Sequence, residues 1–224
     1  MPTNLLAFLL SAGAVTLAEM GDKTQLLAMA FAAKYKAPKV LWGVLIATVL
    51  NHALAVAAGN YLTRFASAKV WVQGLAALSF IIFGLWTLKG DKLEGEEKRR
   101  SRFGAVATVA VAFFFAELGD KTQLATIALA ARFPAAPMGI LTGTTTGMLV
   151  ADAIGIYFGV VMGRRMPEKT VKLVSAAAFV LFGFIGSYQV SREMLGLSMP
   201  VTLCLMSFLL LITGISAGTI IKQR

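Results

Sequence analysis

The sequence predicts an all-α membrane protein of seven transmembrane helices, arranged as two inverted three-helix repeats plus one extra C-terminal helix. Three observations lead there. Hydrophobic residues make up 58% of the chain and charged residues 14%, whereas soluble domains carry roughly 25% charged residues. Apolar runs long enough to cross a hydrocarbon core of about 30 Å as helices recur along the whole length. One polar string, Glu-x-Gly-Asp-Lys-Thr-Gln, occurs twice, at Glu19–Gln25 and Glu117–Gln123, each time inside such a run. The net charge of +10 does not indicate a nucleic-acid partner, because 19 of the 21 Lys and Arg lie between or at the ends of the apolar runs. There they orient a protein in the bilayer.

The runs cover about 4–33, 40–62, 70–88, 103–131, 138–163, 169–189 and 199–220. The first lacks a positive leader and runs past the length of a signal peptide, so it is expected to stay as a span. The segments after spans 1, 3, 5 and 7 hold 15 basic residues, and those on the other side hold four. By the positive-inside rule, the central loop and carboxyl terminus are cytoplasmic and the amino terminus is outside. The expected setting is a cytoplasmic membrane. The lone Cys204 precludes an internal disulfide.

The motif repeats at an offset of 98, Gly43, Gly59 and Tyr61 recur at 96, and Phe83-Gly84 recurs at 99. This divides the chain into repeat 1 (1–90), a cytoplasmic linker (91–102), repeat 2 (103–190) and a seventh helix (191–224). Three spans per unit is an odd number, so the second unit enters the membrane inverted, as in many secondary transporters. Span 5 has small residues at every fourth position, Gly139, Gly143, Gly147, Ala151, Gly155, Gly159 and Gly163. Span 2 echoes it with Gly43, Ala47, Ala55 and Gly59 around Asn51. Such seams let helix backbones approach closely, and a smooth seam also permits sliding. The seventh span contains a GxxxG, Gly214 to Gly218, a possible homodimer contact.

Five acidic residues lie within spans: Glu19, Asp22, Glu117, Asp120 and Asp152. An ionised side chain there costs at least about 2.5–3.5 kcal/mol, so a lipid-facing placement is excluded and a functional one expected. On unbroken helices Glu19, Asp22 and Gln25 form one stripe at i, i+3 and i+6, and Glu117, Asp120 and Gln123 form its counterpart. Facing each other, the stripes supply four carboxylates and two amide oxygens near the midplane. An all-oxygen set suits magnesium, calcium or manganese. Lys23 and Lys121 stand at i+4 from the glutamates and would hold the carboxylates between visits of the cation. Thr24 and Thr122 point away unless Gly21 and Gly119 loosen the backbone. Asp152 is an accessory ligand or proton carrier. Asn51 faces the cavity, beside His52 as a helix contact. Crowded carboxylates in a dry cavity retain protons that an arriving cation displaces, which makes an antiporter when the site opens alternately to either face.

These residues resemble the paired Glu-x-Gly-Asp-Lys/Arg-Thr/Ser signature of a cation-transporter family that includes the bacterial MneA-type manganese exporters and the Golgi manganese/calcium transporters. The resemblance covers residues 4–190 and implies cation/proton exchange with the acidic motif residues on the metal. Its six-span core makes the seventh span a departure. The expected function is therefore export of manganese(II) from the cytoplasm against protons. Calcium/proton exchange or a divalent cation channel are the alternatives. The chain is not expected to be an enzyme, although an intramembrane aspartyl protease on Asp22 and Asp120 is the rival from that class; a purely structural membrane subunit is the remaining one. The expected partners are the metal ion, protons and lipid, and no prosthetic group is implied.

Overall fold

A computed structural model describes residues 2–63, 69–89, 104–161 and 168–222. The expected linker 91–102 and Gly163 lie outside the described residues. Every regular element among them is helical. In order they are α1 (Pro2–Glu19), α2 (Lys23–Ala32), α3 (Ala37–Leu62), α4 (Lys69–Lys89), α5 (Ala105–Glu117), α6 (Lys121–Arg132), α7 (Pro137–Ile156), α8 (Glu168–Gln189) and α9 (Met199–Lys222). α7 and α8 each run on into a π turn, Tyr157–Val161 and Val190–Met194. α3 and α7 begin with proline in their first turn, where the missing N–H goes unmissed. α3, α4, α7, α8 and α9 are long and apolar enough to cross a bilayer. Leu5, Leu9, Trp42, Trp71 and Leu181 are among the large apolar side chains on the outer surface, a face that lipid covers. The protein is a membrane protein.

The first and fourth runs are not the continuous helices the sequence pattern predicts. Each is broken in the middle of its motif. Gly21 and Gly119 take φ of 76° and 77°, the left-handed region that glycine enters without steric cost. α1 and α2 meet at 74°. Beyond each glycine, Asp22 and Asp120 have extended backbones and occupy the cap positions of α2 and α6. Their carbonyls accept from Leu26 at 3.2 Å and Leu124 at 3.1 Å, which starts the new helix. The amide oxygens of Gln25 and Gln123 accept from the backbone N–H groups of Gly21 and Gly119, both at 2.7 Å. The two breaks are therefore built alike, and each satisfies a donor that an interrupted helix leaves bare.

Each broken helix lies along a long helix of the other half. α7 runs beside α1 and α2, and α3 beside α5 and α6. The approach is close enough to require glycine. A Cβ on Gly147 would stand 2.5 Å from the carbonyl oxygen of Ala12, and one on Gly59 would stand 2.5 Å from that of Ile127. α4 and α8 pair through the rings of Phe80, Phe83, Phe179 and Phe182. α9 rests on α4 and α8 and is otherwise uncovered, with nothing within 4 Å of a Cβ at Gly214 or Gly218.

Candidate cation site

The paired breaks bring the charged residues of the motifs together. Glu19 is the last residue of α1 and Glu117 the last of α5, and both are fully buried. Asp22 and Asp120 stand just before α2 and α6, also buried. A carboxylate at a helix C-terminus meets the negative end of the helix dipole. A cation beside Glu19 and Glu117 therefore answers the helix ends as well as the side chains. Glu19, Glu117 and Asp120 each offer an oxygen within 4.8 Å of the other two. Oxygens on opposite sides of a calcium ion, each at roughly 2.3–2.6 Å, stand about 5 Å apart, so one hard cation fits among the three.

Asp22 is outside this trio and pairs with Lys121, Nζ to Oδ1, at 2.5 Å. Lys23 faces Asp120 at 3.6 Å. Each lysine thus pairs with the aspartate of the other half. The expected i, i+4 contacts of Glu19 with Lys23 and Glu117 with Lys121 presuppose an unbroken helix, and the left-handed glycine between the partners removes that geometry. The same break turns the threonines inward. Thr24 donates to one oxygen of Glu19, and Thr122, from the other half, donates to the second.

Glu117 is treated differently. Both of its oxygens are buried and have no hydrogen-bond partner among the described residues. Two copies of one sequence motif therefore make two unlike glutamates, one held by two hydroxyls and one bare. Asp22 and Asp120 each also leave one oxygen, Oδ2, without a hydrogen-bond partner among the described residues.

The remaining predicted residues surround this centre. Gln25 and Gln123 brace the breaks through their amide oxygens, and the Gln25 amide group also donates to the Ala151 carbonyl at 2.5 Å. That bond docks α2 on α7 next to Asp152. Asp152 is fully buried, has no hydrogen-bond partner among the described residues, and lies within electrostatic reach of Glu19, Asp22 and Glu117. Asn51 donates to the Phe114 carbonyl at 3.1 Å, tying α3 to α5 one turn before Glu117, while its own oxygen is buried with no partner among the described residues. His52 is buried and neither ring nitrogen has a partner among the described residues. Five carboxylates against two ammonium groups give the region a formal deficit of three positive charges when all are ionised. Unpaired buried charge on that scale is costly, and a divalent cation with a proton offsets it.

Sequence reasoning missed the crossed lysines and the brace made by the two glutamines. A signal for the break was present. Asp22 with Gln25, and Asp120 with Gln123, have the spacing of a capping box that opens a helix. A glycine directly before such a cap closes the helix that precedes it.

A family model described as divalent cation/proton antiporter GDT1 matches residues 7–95 and 105–194. A Vibrio cholerae protein named "Putative manganese exporter" is 37% identical over 175 residues, covering 78% of this chain and 86% of its own length. GDT1-like protein sll0615 of Synechocystis is 31% identical over 192 residues, covering 76% and 91% respectively. GDT1-like protein 5 of Arabidopsis thaliana is 28% identical over 225 residues, covering 82% and 96%. No solved structure matches.

Proposed function

From the membership of this chain in the divalent cation/proton antiporter GDT1 family, we propose that it carries manganese(II) out of the cytoplasm in exchange for protons. The observation that supports this reading best is the buried pair of Glu117 oxygens, without a hydrogen-bond partner among the described residues, in a trio with Glu19 and Asp120 that brings one oxygen of each residue within 4.8 Å of the others. The ion is cargo, held by Glu19, Glu117 and Asp120. Asp22 joins when Lys121 releases it, and Asp152 serves as an accessory acid. In this reading Gln25 and Gln123 act on the backbone of the breaks rather than as ligands, because their oxygens are engaged by Gly21 and Gly119. Manganese is preferred over calcium because the Vibrio cholerae relative is named for manganese.

The exchange follows from charge. With the cation gone, the clustered carboxylates keep protons; an arriving cation displaces them and leaves with the site turned to the other face. In this scheme α1–α2, α3 and α4 form one three-span repeat, and α5–α6, α7 and α8 form its inverted copy. The site lies near the bilayer midplane at their interface. Reciprocal packing supports that arrangement, since each broken helix rests on the small-residue seam of the other repeat's long helix. Rocking of α1–α2 along α7, and of α5–α6 along α3, would open the two faces in turn. We place the amino terminus outside and the carboxyl terminus in the cytoplasm of a bacterial inner membrane. α9 is the seventh span, and its Gly214–Gly218 face is where a second copy would pack.

The test is reconstitution into liposomes enclosing a pH dye. Manganese added outside should drive proton movement, calcium should drive less, and Glu117→Gln should abolish it in protein that remains folded. Manganese flux without proton movement would favour a channel. Normal exchange by Glu117→Gln would refute the site.

A further inference from the structure

A second cavity lies away from the acidic site. It has a volume of about 310 Å³ and sits between α1, α4, α6 and α8, with Phe80, Leu129 and Phe182 among its walls. That is within the roughly 300–1,000 Å³ range of small-molecule sites. Walls this apolar do not hold ordered water. Leu6 and Ile185, which also line it, are about half exposed on the outer surface of the bundle. The cavity therefore opens sideways, toward lipid.

One end is polar. Arg132, the last residue of α6, and Gln189, the last of α8, line the cavity together. The Arg132 guanidinium donates to the Gln73 amide oxygen at 2.8 Å, one bond from a group with five N–H donors. The Gln189 amide oxygen is buried with no partner among the described residues. Glu193 is within electrostatic reach of Arg132, but it is exposed, so water and salt screen it.

An apolar slot open to the bilayer, closed at one end by a guanidinium and an unused buried acceptor, has the polarity of a phospholipid. We propose that this cavity binds one anionic phospholipid with a hydroxylated headgroup. An acyl chain lies against Phe80, Leu129 and Phe182, the phosphate accepts from Arg132 in the forked geometry that guanidinium favours, and a headgroup hydroxyl donates to Gln189. The bound chain touches α1 and α6, one broken helix from each half, so its occupancy bears on how those halves sit together.

The proposal is tested by native mass spectrometry of the full chain, delipidated in neutral detergent and titrated with phosphatidylglycerol, phosphatidic acid, phosphatidylcholine or oleate. The wild type should retain one phosphatidylglycerol at concentrations where phosphatidylcholine is lost. Arg132→Gln should weaken that retention at least tenfold, with Arg132→Lys in between. Gln189→Leu should erase the preference for phosphatidylglycerol over phosphatidic acid, and Ile185→Trp, at the exposed mouth, should weaken both. Should Arg132→Gln not fold, Arg132→Lys and Gln189→Leu carry the test. Equal retention of phosphatidylglycerol and phosphatidylcholine would overturn the proposal. So would unchanged retention in the Arg132 variants, or oleate binding as well as the phospholipid.

Discussion

The two motif lysines are identical in sequence context and unequal in structure, and that inequality can be measured. Lys121 is 1% exposed and stands 2.5 Å from Asp22, itself 3% exposed; Lys23 is 20% exposed and stands 3.6 Å from Asp120. At an effective dielectric constant near 20, the gross attractions are roughly 7 and 5 kcal/mol, too close to separate the pairs. Solvent separates them. Replacing Lys121 by Gln removes the ammonium from Asp22, a buried carboxylate whose Oδ2 already has no hydrogen-bond partner among the described residues. Breaking a buried pair from one side costs about 3–5 kcal/mol. Lys23→Gln should cost less, about 1–3 kcal/mol, because its contact is longer at 3.6 Å and water reaches the lysine, although Asp120 is as buried as Asp22. The assay is equilibrium unfolding in mixed detergent micelles at neutral pH, followed by the fluorescence of Trp42, Trp71 and Trp86. A cycle with Asp22→Asn completes it. The double variant should regain most of the loss, giving a coupling of about 2 kcal/mol or more between two residues that touch. Equal losses for the two lysines, or an additive double variant, would refute the crossed and unequal pairing.

Two further outcomes follow from the backbone. Gly119→Ala meets no neighbour within 4 Å, so its cost should be the left-handed φ of 77° alone, about 1–2 kcal/mol in the same unfolding assay. Gly119→Asn should lose less, because asparagine tolerates that region. Gly147→Ala forces a Cβ to 2.5 Å from the Ala12 carbonyl oxygen and should cost about 1–3 kcal/mol as overpacking. Gly214→Ala has open space and should stay within about 0.5 kcal/mol of the parent.

Much of this was legible before any coordinates, and the reason is energetic. Glu19, Asp22, Glu117, Asp120 and Asp152 stand out because carboxylates rarely occur in apolar runs without a task, and all five are buried. The small-residue periodicity of 139–159 likewise marks a helix pressed against another backbone, as Gly147 is against Ala12. Partner choice was not legible. Helical periodicity assumes an unbroken helix, so it pairs Glu19 with Lys23. The break, a left-handed Gly21 followed by an extended Asp22, turns Lys23 toward Asp120 and Thr24 toward Glu19. Nor does periodicity say that Thr122 serves Glu19 while Glu117 has no hydrogen-bond partner among the described residues. Two near-identical motifs predict symmetric surroundings, and the inequality arises only when both are packed around one small volume.

The crossed pairs have a consequence for how the chain can be divided. Lys121 neutralises Asp22, Lys23 neutralises Asp120, and Thr122 completes the hold on Glu19. A fragment ending before residue 91 would contain every residue of one motif and still be electrically unfinished, with its counter-ions encoded in the missing piece. Two such fragments made separately would have to find each other inside the lipid before either became comfortable there.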